Sequence, residues 1–301
     1  MRIFITIALI IFVFLSPNNL KAQDLAPYIK VGTSKSTIAQ EAEGVTQALQ
    51  KKGFEIVGSY NPEDNSNFMV IAFTRSDLQS AVLKVKDRGA LASVLKVGLN
   101  SNGTETTISY LNPKYIFNAY LLDEYLKHSE TLDKVALDVK TAMSPLGDIE
   151  EGFGGSLSID KLRKYHYKMM MPYFTDPVEL MEFSSFDEGL KIIEKNLISK
   201  KGNTKLVYKI NYEADEVCVF GIGLMDKDTG EAHFLPIIGE EHIAAMPYEI
   251  ILQGKTATML HGRYRIALHW PELTMGTFMK IMSTPGDIED TMEALCQDPS
   301  M

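Results

Sequence analysis

Asn100-Ser-Asn-Gly-Thr-Glu-Thr-Thr-Ile-Ser-Tyr-Leu-Asn-Pro113 carries a turn, a strand and a stop in that order. Asn102-Gly103 is a strong hairpin signal, because both residues tolerate the positive φ angles of a tight turn between right-twisted strands. Residues 92–99 before it and 104–111 after it therefore read as paired antiparallel strands. Pro113 ends the second, since it cannot donate to a ladder. Working back, residues 54–60 and 68–73 also read as strands, separated by the turn Asn61-Pro62-Glu-Asp-Asn65. Ser36 or Thr37 can cap a helix whose apolar positions Ile38, Ala42, Val45, Ala48 and Leu49 fall at helical spacing and which Gly53 stops. Residues 28–31 are extended and residues 77–88 suit a helix. Working forward, residues 114–143 form one long amphipathic helical region.

The pattern then returns. Glu43-Gly44 through Tyr110-Leu111-Asn112-Pro113 is echoed by Glu188-Gly189 through Leu268-His269-Trp270-Pro271. Lys51-Lys52-Gly53 is echoed by Lys200-Lys201-Gly202, and Pro145-Leu-Gly-Asp-Ile-Glu150 by Pro285-Gly-Asp-Ile-Glu289. An internal repeat of this kind implies two units of one topology. In the second unit, residues 178–183 are extended and 186–199 helical. Strands fit 205–212, 216–225, 232–236, 248–252 and 256–270, the last broken near Leu260, before a helix over 273–282. The expected fold is α+β, with two related domains, each an antiparallel sheet with helices on one face. The boundaries are 24–151 and 178–298, joined by a linker over 152–177.

Residues 92–99, Asn102-Gly103, Thr107-Ile-Ser-Tyr-Leu-Asn-Pro113 and Lys114-Tyr-Ile116 resemble the closing part of the domain-of-unknown-function family 302 (DUF302). The helix over 44–54 and the strand over 69–73 sit where that family places its first helix and a following strand. The second copy is similar more loosely. Pro247-Tyr-Glu-Ile-Ile-Leu252 and Arg263-Tyr-Arg-Ile-Ala-Leu-His-Trp-Pro271 take the matching places, with Trp270 where Asn precedes Pro. The resemblance implies a compact α+β domain present as two diverged tandem copies. It implies no reaction and supplies no catalytic residues.

Arg2, the apolar run from Ile3 to Leu15 and the polar stretch ending at Ala22 read as an export signal over residues 1–22. The run is shorter than the roughly 20 residues needed to span a bilayer. The expected product is periplasmic or secreted, with no stable membrane insertion once the signal is removed. Losing Arg2 and Lys21 and no acid takes the formal charge from −9 to −11. That balance argues against nucleic acid as a partner. Cys218 and Cys296 leave a single disulfide open, with two idle thiols as the plainer reading.

The standard catalytic signatures are incomplete. Gly154-Gly-Ser156-Leu-Ser158 lacks the last Gly of a nucleophile elbow. Gly221-Ile-Gly223 lacks the third Gly of a dinucleotide loop and reads as a bent strand. Glu240-Glu241-His242 has no second His at zincin spacing. On a strand, His261, Arg263, Arg265 and His269 share one face, where two guanidiniums and two imidazoles could cradle an anion. The alternative is a solvated sheet face pairing with acids such as Glu249. His166, Met169 and Met171 are soft donors suited to Cu(I), although consecutive methionines cannot all face one ion; gap-filling between domains is the plainer reading. The two Gly-Asp-Ile-Glu phrases read as helix starts, with acids near the positive end of the helix dipole.

The sequence therefore points to an exported two-domain binding or interaction protein, its partner an unknown small molecule or protein. No cofactor is expected, and the oligomeric state expected is monomer or weak homodimer. It leaves open whether the chain is an enzyme, with binding favoured. The alternative is a hydrolase or transferase acting on an anionic small molecule through the His/Arg face.

Overall fold

In the computed structural model the described residues are 24–298, so the export signal expected over residues 1–22 lies outside them. The chain opens with β1 (Asp24–Leu25), β2 (Tyr28–Ser34), α1 (Ile38–Lys51), β3 (Glu55–Tyr60), β4 (Phe68–Thr74), α2 (Ser76–Val82), β5 (Leu95–Ser101) and β6 (Thr106–Leu111). Helices α3 (Pro113–Leu121) and α4 (Ser129–Met143) follow, then β7 (Glu151–Phe153), β8 (Leu157–Ser158) and α5 (Ile159–Leu162). Next come β9 (Val178–Glu182), α6 (Phe186–Ile198), β10 (Thr204–Tyr212), β11 (Val217–Leu224), α7 (Glu231–Ile238) and β12 (Tyr248–Gln253). The described chain closes with β13 (Thr256–Met259), α8 (Gly262–His269), α9 (Met275–Phe278) and α10 (Thr284–Cys296).

All strand pairings are antiparallel, which with the packed helices makes the fold α+β. One sheet runs β3-β4-β5-β6-β2-β7 and the other β10-β11-β12-β13-β9, with β1-β8 a separate ribbon. Apart from β7, the two orders are the same when β2 is matched to β9 and β3–β6 to β10–β13. The irregularities match too. β3 slips against β4 between Ile56 and Gly58, and β10 slips against β11 between Leu206 and Tyr208. Beyond each bulge the registers read Gly58–Ala72–Lys96 and Tyr208–Gly221–Glu249.

Local chemistry explains the shared elements. Thr37 and Gln40 form a capping box on α1, and Ile38, Val45 and Leu49 bury its inner stripe. Ser185 caps α6 by accepting from the Glu188 N–H. Gly53 and Gly202, at φ 78° and 68°, let the chain leave the two helices at matching points. Asn112 caps α3 by accepting from the Lys114 N–H at 3.2 Å, and His261 caps α8 in the same way from Arg263 N–H at 3.2 Å.

The halves pack through the sheet faces that carry Lys96 and Glu249. A Cβ on Gly98 would lie 2.8 Å from Ile243 Cγ1, so the 3-10 turn Glu240–Ala245 sits directly on β5. At the seam, a Cβ on Gly58 would overlap the Val207 carbonyl, which brings β3 against β10. Gly221 and Gly223 lie within the regular strand β11, and each leaves room for a tyrosine: Tyr208 over Gly221 and Tyr60, from the other half, over Gly223.

Several expected elements are corrected. Residues 232–236 lie in helix α7, because a short apolar run does not distinguish a buried helix from a strand. The strand expected over 256–270 stops at Met259 and continues as α8, whose Tyr264 to His269 are all buried, so its sequence shows no amphipathic period. Residues 114–143 are two helices with a 3-10 turn between them, Leu122 standing at φ 52°. The helix over 273–282 is the short α9 with a 3-10 turn; the helix start read at Gly286–Glu289 falls in the opening of α10, whereas Gly147–Glu150 starts no helix.

Unlike Lys-Lys-Gly, two of the quoted echoes are not structurally equivalent. Glu43-Gly44 lies in the middle of α1, but Glu188-Gly189 lies in the first turn of α6. Pro145 to Glu150 follows α4, whereas Pro285 to Glu289 opens α10. Nor is the expected linker unstructured. β7 pairs with β2, and Phe153 stacks on Tyr28 at 5.2 Å between centroids.

Candidate functional site

Helix α8 holds the expected anion residues, and as a helix it sends them to different surroundings. Arg265 and His269 are four residues apart on one face and are 2% and 1% exposed. Arg263, two residues from Arg265, is exposed, and His261 is the N-cap. The four therefore do not form one solvent-facing surface. A period of two and a buried helix bring different sets together, and the alternation of charged and apolar residues suggested the wrong one.

Arg265 sits in a charge cluster between the halves. Its Nη2 donates to the carbonyls of Ala245 at 2.6 Å and Pro247 at 2.9 Å, and lies 3.5 Å from Glu249 Oε2. Lys96 makes an ion pair with Glu249 Oε1, and the Tyr208 hydroxyl donates to the same oxygen at 3.3 Å. Arg265 Nε and Nη1 have no acceptor, but the guanidinium carbon stands 3.6 Å from the centre of the Tyr248 ring. The negative face of that ring supplies a cation–π contact. Burial on its own would lower the Arg265 pKa, but Glu249 and the tyrosines outweigh it and raise it. Burial lowers the Lys96 pKa, and Glu249 opposes that.

His269 lies between two phenols, with Tyr120 Oη 3.3 Å from Nε2 and Tyr28 Oη 3.4 Å from Nδ1. The Tyr28 hydroxyl also donates to the His269 carbonyl at 3.0 Å. Burial, then the charges of Arg265 and Lys96, hold the imidazole well below its ordinary pKa, so it is neutral. The helices exchange hydrogen bonds beside it: Tyr115 OH donates to Leu268 O at 2.7 Å, and Tyr264 OH to Ala119 O at 3.3 Å. This constellation joins the halves. A substrate would reach it only by parting them.

The outward side of α8 is different. Arg263, Ile266 and Ala267 line a groove of about 250 Å³ with Tyr167, Lys168, Met169 and Met171 from the middle segment and Leu273, Met275 and Phe278 from the closing region. Its walls are apolar apart from Lys168 and Arg263, and no acid lines it. Met169 and Met275 are 85% and 49% exposed. The groove thus gathers two residues singled out as soft metal donors and one singled out for anions. His166 is engaged elsewhere: its Nδ1 donates to Lys168 O at 2.8 Å and its ring lies 4.5 Å from that of Tyr173. Among the described residues, no group of three or more His, Cys, Asp or Glu could hold a metal ion. Cys218 and Cys296 are free and buried, and burial pushes both thiols up to about 12.

A larger cleft of about 1,080 Å³ runs between the middle segment and α4. Both its cations are already paired, Lys114 with Asp133 at 2.8 Å and Lys140 with Glu150, and Asp24, Glu241 and Glu272 add acids to its lining. Sequence reasoning did not single out Lys96 or Tyr120. Lys96 did leave a signal, a single charge within an apolar strand, as Glu249 does in β12.

No protein-family model and no curated protein matches the chain. Among solved structures, it is similar to one titled as the crystal structure of uncharacterized conserved protein DUF302 from Bacillus stearothermophilus. The identity is 10% and the TM-score 0.34, covering 39% of this chain and 95% of that one. Among the described residues, no helix is long and apolar enough to cross a membrane.

Proposed function

We propose that this chain is an exported binding protein, periplasmic or secreted, made of two fused and diverged copies of a DUF302-like domain, residues 24–151 and 178–298. The matching strand orders and matching bulges support the duplication. So does the reciprocal bonding of Tyr115 and Tyr264, the pattern of an isologous interface in which each side offers the other the same contact. Read this way, the fusion supplies within one chain what a two-fold dimer of single copies would supply, and the product is a monomer. The charged run at Arg2, the apolar run to Leu15 and Ala22 support export.

The observation that carries the binding reading is the open apolar groove beside α8, contrasted with the burial of Arg265 and His269. The chemically versatile residues are committed to holding the halves together, while the concave surface left to solvent has the lining of a ligand site. Native mass spectrometry of protein recovered from its own exported fraction tests this. A mature chain starting near Gln23 and carrying a stoichiometric small molecule is expected. A chain that retains residues 1–22 inside the cell would overturn the export reading. Turnover of an anionic substrate that is lost on Arg263→Gln would replace binding with catalysis.

A further inference from the structure

Accepting the binding reading, we infer that the groove beside α8 takes a medium-chain amphipathic carboxylate, its alkyl part against Ile266, Leu273 and Phe278 and its carboxylate at Arg263 and Lys168. Four features of the molecule carry this. First, the lining is apolar, and Met169, Met171 and Met275 add unbranched thioether side chains that adapt to a chain without a fixed shape. Second, the two charged groups at the groove have the same sign, and they come from different segments, Lys168 from the middle of the chain and Arg263 from α8.

Third, neither cation has an acidic partner among the described residues; Lys168 lies 5.2 Å from the centre of the Tyr167 ring. In a chain of formal charge −9, two cations left without acids beside an apolar surface form a local field that selects for an anion. A guanidinium also matches a carboxylate by two parallel hydrogen bonds. Fourth, the volume of about 250 Å³ lies just below the ~300–1,000 Å³ of pockets that enclose drug-sized ligands, which suits a single medium-length chain. A neutral hydrocarbon would leave the cations unused, and a small inorganic anion would leave the apolar wall wet.

Isothermal titration of the mature chain with decanoate, decanol and acetate at low salt is the test. Decanoate is expected to bind saturably at one per chain, and acetate not to saturate. Decanol is expected to bind about ten- to a hundredfold more weakly, the worth of a charge-assisted hydrogen bond. Octanoate should fall about tenfold below decanoate, from two fewer buried methylenes. Arg263 and Lys168 are exposed, so the double variant Arg263→Gln/Lys168→Gln should keep its thermal transition and bind decanoate no better than decanol. Met275→Glu, which sets an acid in the groove, should also abolish decanoate binding.

Failure of decanoate to saturate, or binding indifferent to the double variant and to Met275→Glu, overturns the assignment. The native mass measurement separates this from failure of the broader reading. A bound molecule without an acidic group would retain the binding function and reject this ligand class.

Discussion

Lys96 and Glu249 stand at the same register position on matching strands of the two sheets, one row beyond matching bulges, and their side chains form an ion pair across the interface. Matching positions of the two sheets thus carry opposite charges that meet in the interior. Arg265 makes the cluster a triad, with two cations sharing one carboxylate. Buried ion pairs contribute little net stability compared with apolar substitutes, but losing one partner strands the other.

The three members of the triad should therefore not be equivalent. Glu249→Gln leaves two buried cations facing each other and is expected to cost about 3–5 kcal/mol. Lys96→Met should cost clearly less, since Glu249 keeps Arg265 and the Tyr208 hydroxyl. Urea denaturation of the two variants checks the order, and a larger loss for Lys96→Met would refute it.

Tyr115→Phe and Tyr264→Phe each remove one donor and leave a buried carbonyl, of Leu268 or Ala119, without that bond. Each is expected to cost about 1–2 kcal/mol. Tyr115→Phe should cost more, because its bond is the shorter. Midpoints of thermal unfolding followed by circular dichroism measure both.

The seam between β3 and β10 depends on Gly58, where a Cβ would overlap the Val207 carbonyl. Backbone cannot move aside as the end of a flexible side chain can. Gly58→Ala is expected to destabilise by roughly 1–3 kcal/mol, as overpacking does. Gly286→Ala, where nothing lies within 4 Å and which lies in the first turn of α10, is the control and should be neutral to slightly stabilising. Equal effects in the two variants would contradict the close seam.

Two buried groups should give opposite pH dependences. Burial raises the Glu231 pKa to about 7, although Tyr60 donates to it at 2.8 Å. Its folded value exceeds the unfolded one, so its contribution is complete below about pH 4.5 and is lost as pH rises through 7. His269 is depressed by burial, so its contribution is present above about pH 6.5 and is lost as pH falls, at about 1.4 kcal/mol per pH unit. Glu231→Gln should therefore be more stable than the parent above pH 7, by up to about 2–3 kcal/mol, and should gain stability more steeply between pH 4.5 and 6.5. Stability measured across pH 4–8 tests this, and parallel profiles for parent and variant would contradict it.

The elements that the sequence made legible are those with a boundary residue and a clean period. Thr37, Gly53, Asn102-Gly103 and Pro113 mark α1, the β5–β6 hairpin and the start of α3 close to where they lie. The misreadings fall where both sides of an element are buried. In α8, Arg263, Arg265 and His269 alternate with apolar residues, and alternation normally means a half-buried strand. Here the helix lies between the halves, and Arg265 is held inside by carbonyls, Glu249 and Tyr248. Of the phrases quoted as echoes only Lys-Lys-Gly falls at matched points, and the proposed repeat rests on strand order and bulges.

Local chemistry written in the sequence determined where the chain turns, where most helices begin, and that antiparallel strands carry helices in an α+β arrangement. These depend on φ preferences, capping groups and side-chain spacing, all acting within a few residues. Only the tertiary structure decided that Lys96 meets Glu249, that His269 lies between Tyr28 and Tyr120, and that Arg263 alone of the four expected residues lines the open groove. The Lys96–Glu249 and His269–tyrosine partners are separated by 149 to 241 positions in sequence, and no local preference encodes which buried face another face will cover.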